Sequence, residues 1–179
     1  MGSAMTQSEF ICVRCSKHQE TCCQTSEVYT TLGDIRRIKQ YTGKDDFYED
    51  RLPCDPVYTR HDDDPIWYET AMQPDGKRRV LKRQENGDCT FLGSAGCVLP
   101  LETRPILCRL YPYDFNQDGI KTYLANGCPM ELLQNGESLV MALDMNKKDA
   151  ERWHQMLYEE ILEEPHYQAK QSATLTTEK

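Results

Sequence analysis

Two segments of the chain repeat apolar residues at the 3.6-residue period of an amphipathic helix. Between 147 and 164, Ala150, Trp153, Leu157, Ile161 and Leu162 share one face, which predicts a long C-terminal helix. Asn146 is its expected cap and Pro165 its expected stop. Between 31 and 42, Leu32, Ile35 and Ile38 lie opposite Arg36, Arg37, Lys39 and Gln40. Thr31, with Asp34 three residues on, comes close to a capping box, and Gly43 ends this helix.

The remaining pattern is short-range. Strands are expected at 79–83 and 89–92, joined by an Asn86-Gly87 turn, with further strands at 96–99 and 120–125. Arg104–Leu110 reads as one or two helical turns with a proline near its start and Pro112 after it. Residues 129–135 suggest another short helix, ended by Gly136. Residues 11–26 are polar between their cysteines and read as loop. Residues 44–76 are acidic, carry Pro53, Pro56, Pro65 and Pro74, and read as a long surface excursion with an apolar patch at Ile66, Trp67 and Tyr68. The opening Met-Gly-Ser-Ala-Met resembles a cloning scar, so 1–10 are expected to be disordered, as is the polar tail 166–179. The pattern adds up to one small α+β domain over 11–165, irregular and loop-rich.

Charge narrows the partners. A net charge of -8 opposes broad binding to nucleic acid or to an anionic membrane. The local basic run Lys77, Arg78, Arg79, Lys82 and Arg83 is expected to be a solvated face. Apolar stretches such as Val98–Leu101 and Leu139–Leu143 are too short to span a bilayer, and no charged-then-apolar leader opens the chain. The expected compartment is the cytoplasm, where clustered cysteines serve as ligands or redox groups more often than as disulfides.

Cysteine is where the chemistry concentrates. Eight of the nine fall into two groups, Cys12, Cys15, Cys22 and Cys23, then Cys89, Cys97, Cys108 and Cys128. Thiolate suits soft and borderline metals, and a Cys-x2-Cys loop presents two sulfurs to one ion. In an extended segment Cys22 and Cys23 would point to opposite sides, which favours a polynuclear site or two sites sharing the first segment. Two four-cysteine zinc sites, two iron–sulfur sites, or fewer metals with spare thiols all satisfy the count. A redox dithiol at Cys12 and Cys15 would want a β-α-β setting, which is missing here. Cys54 reads as an ordinary loop thiol.

His18, inside the Cys15–Cys22 loop, is a candidate extra ligand, its simpler reading being a solvated loop histidine. His61, His154 and His166 have no ligand context. Asp62, Asp63 and Asp64 lack the glycine-centred frame of a calcium loop and read as a solvated acidic turn. Arg14, Arg104 and Arg109 sit next to candidate ligands. There they would offset the -2 charge of a four-thiolate zinc centre, or else remain surface arginines.

In order, Cys12-Val-Arg-Cys15, Cys22-Cys23, Asp34-Ile-Arg-Arg-Ile38, Gly87-Asp-Cys-Thr-Phe-Leu92, Gly96-Cys97, Arg104-Pro-Ile-Leu-Cys-Arg-Leu-Tyr-Pro112 and Cys128-Pro129 resemble the YkgJ-like cysteine-cluster proteins, the CxxCxxCC zinc- or iron-chelating domain. The resemblance runs from residue 12 to about 130. This chain departs from the family in the longer loop Ser16–Thr21 before the third cysteine, which draws attention to His18. The resemblance implies metal binding through the eight cysteines and says little about a reaction. One branch is similar to flagellin lysine-N-methylases, implying iron–sulfur or methyl-transfer chemistry. No Gly-x-Gly-x-x-Gly, phosphate loop or serine elbow accompanies it. Three readings follow: a metal-binding or delivery protein, an iron–sulfur or metal-dependent enzyme, and a metal-stapled interaction module presenting Tyr58, Trp67 and Tyr68.

Overall fold

The structure is a computed structural model and describes residues 11–18, 20–59, 64–94 and 96–177. The expectation for 1–10, and those for His61, Asp62 and Asp63, lie outside these residues. The architecture is α+β, with helices around small antiparallel two-stranded ribbons.

Where loop is expected at 11–26, the chain forms two short helices, α1 (Ile11–Ser16) and α2 (Cys22–Thr25). Ile11 is buried against Leu139 and Ala142, and this tertiary packing outweighs the weak local propensity. Helix α3 (Leu32–Thr42) begins and ends as its sequence predicts. Thr31 and Asp34 cap each other, and Gly43 adopts the left-handed conformation that closes the helix.

The acidic excursion is more ordered than its prolines suggest. It contributes strand β1 (Tyr48–Arg51), a 3-10 turn at Pro56–Thr59 and helix α4 (Pro65–Ala71). Pro65 sits in the first turn of α4, where its missing N–H costs nothing, and Asp64 caps the helix by accepting the Trp67 N–H at 2.9 Å. The apolar patch is thus one side of a helix. Trp67 packs edge-on to Tyr29 at 5.3 Å and to Phe115 at 5.8 Å.

Strand β2 (Arg78–Leu81) pairs with β1, in the register Tyr48 to Leu81. The expected hairpin around Asn86-Gly87 contracts to a single bridge between Arg83 and Cys89. Strands β3 (Leu92–Gly93) and β4 (Gly96–Cys97) form the next ribbon. Helix α5 (Ile106–Leu110) follows Pro105, and β5 (Tyr113–Asn116) pairs with β6 (Gly119–Leu124). The helix expected at 129–135 is a 3-10 turn, Met130–Leu132, and α6 (Leu139–Ala142) follows it.

The basic run is a solvated face only in its lysines, Lys77 and Lys82, which pair with surface Asp75 and Asp46. Arg78 is buried, its guanidinium over the Tyr58 ring at 4.6 Å and its Nε 3.5 Å from Glu27. Arg79 pairs with buried Glu164 at 2.8 Å. The alternation of a strand places these cations toward carboxylates that the linear sequence holds far away.

Helix α7 (Lys147–Leu162) is the long C-terminal helix. Asn146 accepts the Asp149 N–H at 2.9 Å, and Ala150, Trp153, Leu157 and Ile161 are buried against Ile106 and Leu110 of α5. Leu162 is only half-buried. Beyond it the chain forms α8 (Pro165–Thr177) where a disordered tail is expected. Proline is tolerated in a first turn, and the segment holds good helix formers. Lys170 reaches Glu69 of α4 at 3.1 Å, and His166 donates to the Glu69 carbonyl at 3.3 Å. Among the described residues no helix is long and apolar enough to cross a membrane.

Candidate functional site

Helix α2 carries Cys22 and Cys23 on consecutive positions. Gln24 Oε1 accepts the Thr21 N–H at 2.9 Å and starts this helix. Neighbours on a helix start about 100° apart and not on opposite sides, and here the two thiols stay within hydrogen-bonding reach of each other. Two further stretches then approach. The Cys89 N–H donates to the Cys23 carbonyl at 2.8 Å. Cys97 lies opposite Leu92 in the β3–β4 ribbon, and Cys108 rides on α5.

Cys23, Cys89, Cys97 and Cys108 lie near enough to act on one another electrically. Burial pushes the Cys89 thiol up to about 11, with further upward pressure from Cys23 and Cys97. Cys108 is held well above the ordinary thiol range by burial, then by Cys23, Cys89 and Cys97. Cys23 is raised by its hydrogen bond with Cys22, then by burial. Burial also raises Cys97. Cys89 and Cys97 pack on the apolar group of Ile38, Phe47, Phe91 and Leu99.

A second gathering forms on another apolar group. Cys12 and Cys128 pack against Ile11, Leu139 and Ala142. Burial pushes the Cys12 thiol up to about 11, followed by the influence of Cys128 and Cys23. The Cys128 thiol donates to the Tyr111 hydroxyl at 3.8 Å, and that hydroxyl donates to the Asn126 carbonyl at 3.1 Å. Tyr111 is raised by burial, then by Cys128, with Cys22 and Cys15 also contributing. Cys22, the exposed member of its pair, acts on this phenol and is hydrogen-bonded to Cys23, so the pair joins the two gatherings.

These influences link the eight thiols into one neighbourhood, with Cys54 apart. Its backbone N–H donates to Glu27 at 3.3 Å. Among the described residues, no three His, Cys, Asp or Glu side chains stand in the geometry of an ion site. The donor set is nevertheless the kind thiophilic metals take, being sulfur-rich, half-buried apart from exposed Cys22, and free of disulfide bonds.

The three arginines flagged by sequence part ways. Arg104 lowers the thiols of Cys12, Cys23 and Cys97, and its Nε donates to the Leu99 carbonyl at 3.0 Å. Arg109 is buried beneath it and pairs with carboxylates, Glu102 at 3.2 Å and Asp34 at 3.8 Å, while its Nε donates to the Arg104 carbonyl at 2.9 Å. Arg14 pairs with Glu137 at 3.0 Å and donates to the Leu132 carbonyl. Arg109 and Arg14 are therefore braces, and Arg104 is the cation beside sulfur.

His18 lies 3.2 Å from Glu131 on the surface. His154 donates to the Asn116 carbonyl at 2.7 Å and stacks on Tyr158 at 4.6 Å. Tyr58, Trp67 and Tyr68 are each partly buried, so the expected exposed aromatic contact surface is not present in that form.

Two site residues escape the sequence reading, Tyr111 and Arg83. Tyr111 is visible there only as part of the Arg104–Pro112 motif. The Asn86-Gly87 turn carries only a partial signal for Arg83, because a two-residue hairpin there would set Gln84 across from Cys89, whereas the observed bridge pairs Arg83 with Cys89. No family model, no curated protein and no solved structure matches the chain.

Proposed function

We propose that this chain is a metal-binding protein of the YkgJ-like kind, holding zinc or iron through Cys12, Cys15, Cys22, Cys23, Cys89, Cys97, Cys108 and Cys128, for metal binding, delivery or structural use in the reduced cytoplasm. The thiols divide in this reading into Cys23, Cys89, Cys97 and Cys108 on one side and Cys12, Cys15, Cys22 and Cys128 on the other. Cys22-Cys23 is the seam between them. The observation that carries the reading is the convergence of Cys23, Cys89, Cys97 and Cys108 from separate stretches, braced by the Cys89–Cys23 backbone hydrogen bond.

Burying several thiols together has a cost, since each resists ionising beside the others. A divalent ion removes that cost by taking the protons' place, and Arg104 offsets part of the remaining negative charge. Metal that closes a loop between residues 12–23 and 89–128 also adds directly to folding stability.

The test is metal analysis with an absorption spectrum on protein prepared without oxygen. Bound zinc with no visible absorption supports a closed four-sulfur centre. A brown protein containing iron and sulfide moves the reading to the iron–sulfur enzyme class. Protein that carries no metal and takes up neither zinc nor iron ends the proposal.

A further inference from the structure

Arg83 makes an unusual set of contacts. Its guanidinium donates to the backbone carbonyls of Gln24 at 2.6 Å, Gly87 at 2.6 Å and Cys23 at 3.4 Å, and also to that of Ser26. The carbonyls of Cys23, Gln24 and Ser26 belong to or follow α2, a helix too short to be stable alone. The fourth carbonyl belongs to the turn that leads into Cys89. One planar cation therefore gathers the carbonyl end of the Cys22–Cys23 helix and fastens it to the Asn86-Gly87 turn. The Cys89-to-Cys23 backbone hydrogen bond lies within this junction. A helix C-terminus carries partial negative charge, so a cation there is favourable on electrostatic grounds as well.

We infer that Arg83 is a positioning residue for the sulfur site, holding Cys23 and Cys89 together before any ion arrives. The inference builds on the metal-binding proposal but is not tied to its success, because the junction consists of one guanidinium and backbone carbonyls alone. Its consequence is preorganisation. An ion meets two sulfurs already in place and does not have to order α2 and the Cys89 turn itself. Lysine cannot substitute, since a single ammonium on a flexible stem does not span carbonyls spread over two segments as the guanidinium fork does.

The experiment compares wild type, Arg83→Met and Arg83→Lys, each metal-free and reduced, by amide hydrogen exchange. The amides to follow are Ser26, which donates to Cys22, and Cys89, which donates to Cys23. Both are expected to exchange roughly tenfold faster in Arg83→Met, with α7 unchanged. Zinc alone is then titrated against a colorimetric chelator, and affinity is expected to fall by about tenfold or more. The sulfur-to-cobalt charge-transfer band of cobalt-loaded protein is expected to weaken, a change that a fold-wide loss of stability does not produce in protein still folded. Should Arg83→Met fail to fold, Arg83→Lys is expected to show the same fast exchange at Ser26 and Cys89. Wild-type exchange rates at those amides in a folded variant overturn the inference. If wild type binds neither zinc nor iron, the metal proposal falls, while exchange alone still decides the role of Arg83.

Discussion

The Asp34 carboxylate accepts the backbone N–H of Ile106 at 3.0 Å, across 72 residues of sequence. Ile106 opens the five-residue helix that carries Cys108, and Pro105 before it offers no side-chain cap. Asp34 therefore caps that helix from another element while also accepting the Thr31 N–H at 3.1 Å and pairing with Arg37 at 2.7 Å. Burial pushes its pKa upward, and Arg37 pulls it back. Replacing Asp34 by Ala leaves Arg37 and Arg109 short of a partner and the Ile106 amide unpaired. The expected loss is about 3–5 kcal/mol of unfolding free energy, measured by urea denaturation of the reduced protein.

Gly33 offers a second test of the same region. A β-carbon there would overlap the Glu160 carboxylate, which receives hydrogen bonds from Thr31 and Arg37. Gly33→Ala therefore has to displace a half-buried ion pair, with an expected cost of about 1–3 kcal/mol even though alanine is the better helix former. A thermal melt that rises instead of falling contradicts the packing of α7 on α3.

Leu157 is fully buried in the α7 stripe. Leu157→Ala is expected to destabilise by about 2–5 kcal/mol through lost burial and the cavity left behind. The same change at exposed Met141 is expected to stay within about 0.5 kcal/mol, which denaturant midpoints distinguish directly.

Cys54 supplies a pH prediction. Its thiol is exposed, yet burial of its surroundings, a hydrogen bond to Glu27 and the Glu27 charge all raise its pKa. The thiolate is the reactive form, so alkylation of Cys54 at pH 8 is expected to be slower than that of a free cysteine. The rate is expected to climb with pH to a midpoint above the usual thiol range. Glu27→Gln removes the negative charge, lowers that midpoint and speeds alkylation at pH 8. Peptide mass spectrometry of pulse-labelled protein reads each rate, and a midpoint at or below that of a free thiol defeats the assignment.

Tyr111 is expected to matter through its hydroxyl. Tyr111→Phe keeps the ring and loses the links to Cys128 and Asn126. Amide exchange across 125–129 is expected to rise severalfold, about one hydrogen bond's worth, with the α7 stripe unaffected. Gly127→Ala is expected to be worse, because its β-carbon would come within 2.8 Å of that hydroxyl and its φ of +128° disfavours any side chain.

Helices α3 and α7 are legible in the amino-acid sequence because period, cap and stop all lie within one continuous window. Thr31, Asp34 and Gly43 act on their own helix, as does Asn146. The cysteines are legible as candidate ligands for a similar reason, since the Cys-x2-Cys and Cys-Cys spacings are local properties. Their division is not. Which thiols come near one another depends on α2 being helical and on distant stretches packing over separate apolar groups, and no local pattern encodes those long-range contacts.

Charged residues mark the same boundary. A run of Lys and Arg reads as surface, because in sequence alone each cation has only water for a partner. Folding gives Arg78 the buried Glu27, Arg79 the buried Glu164 and Arg83 a set of backbone carbonyls. Helix periodicity and thiol content are written in neighbouring residues and survive any reading of the chain. Partner choice for a buried charge, or for one thiol among eight, is set by the free energy of the whole packed arrangement, in which desolvation is repaid only by groups that folding brings near.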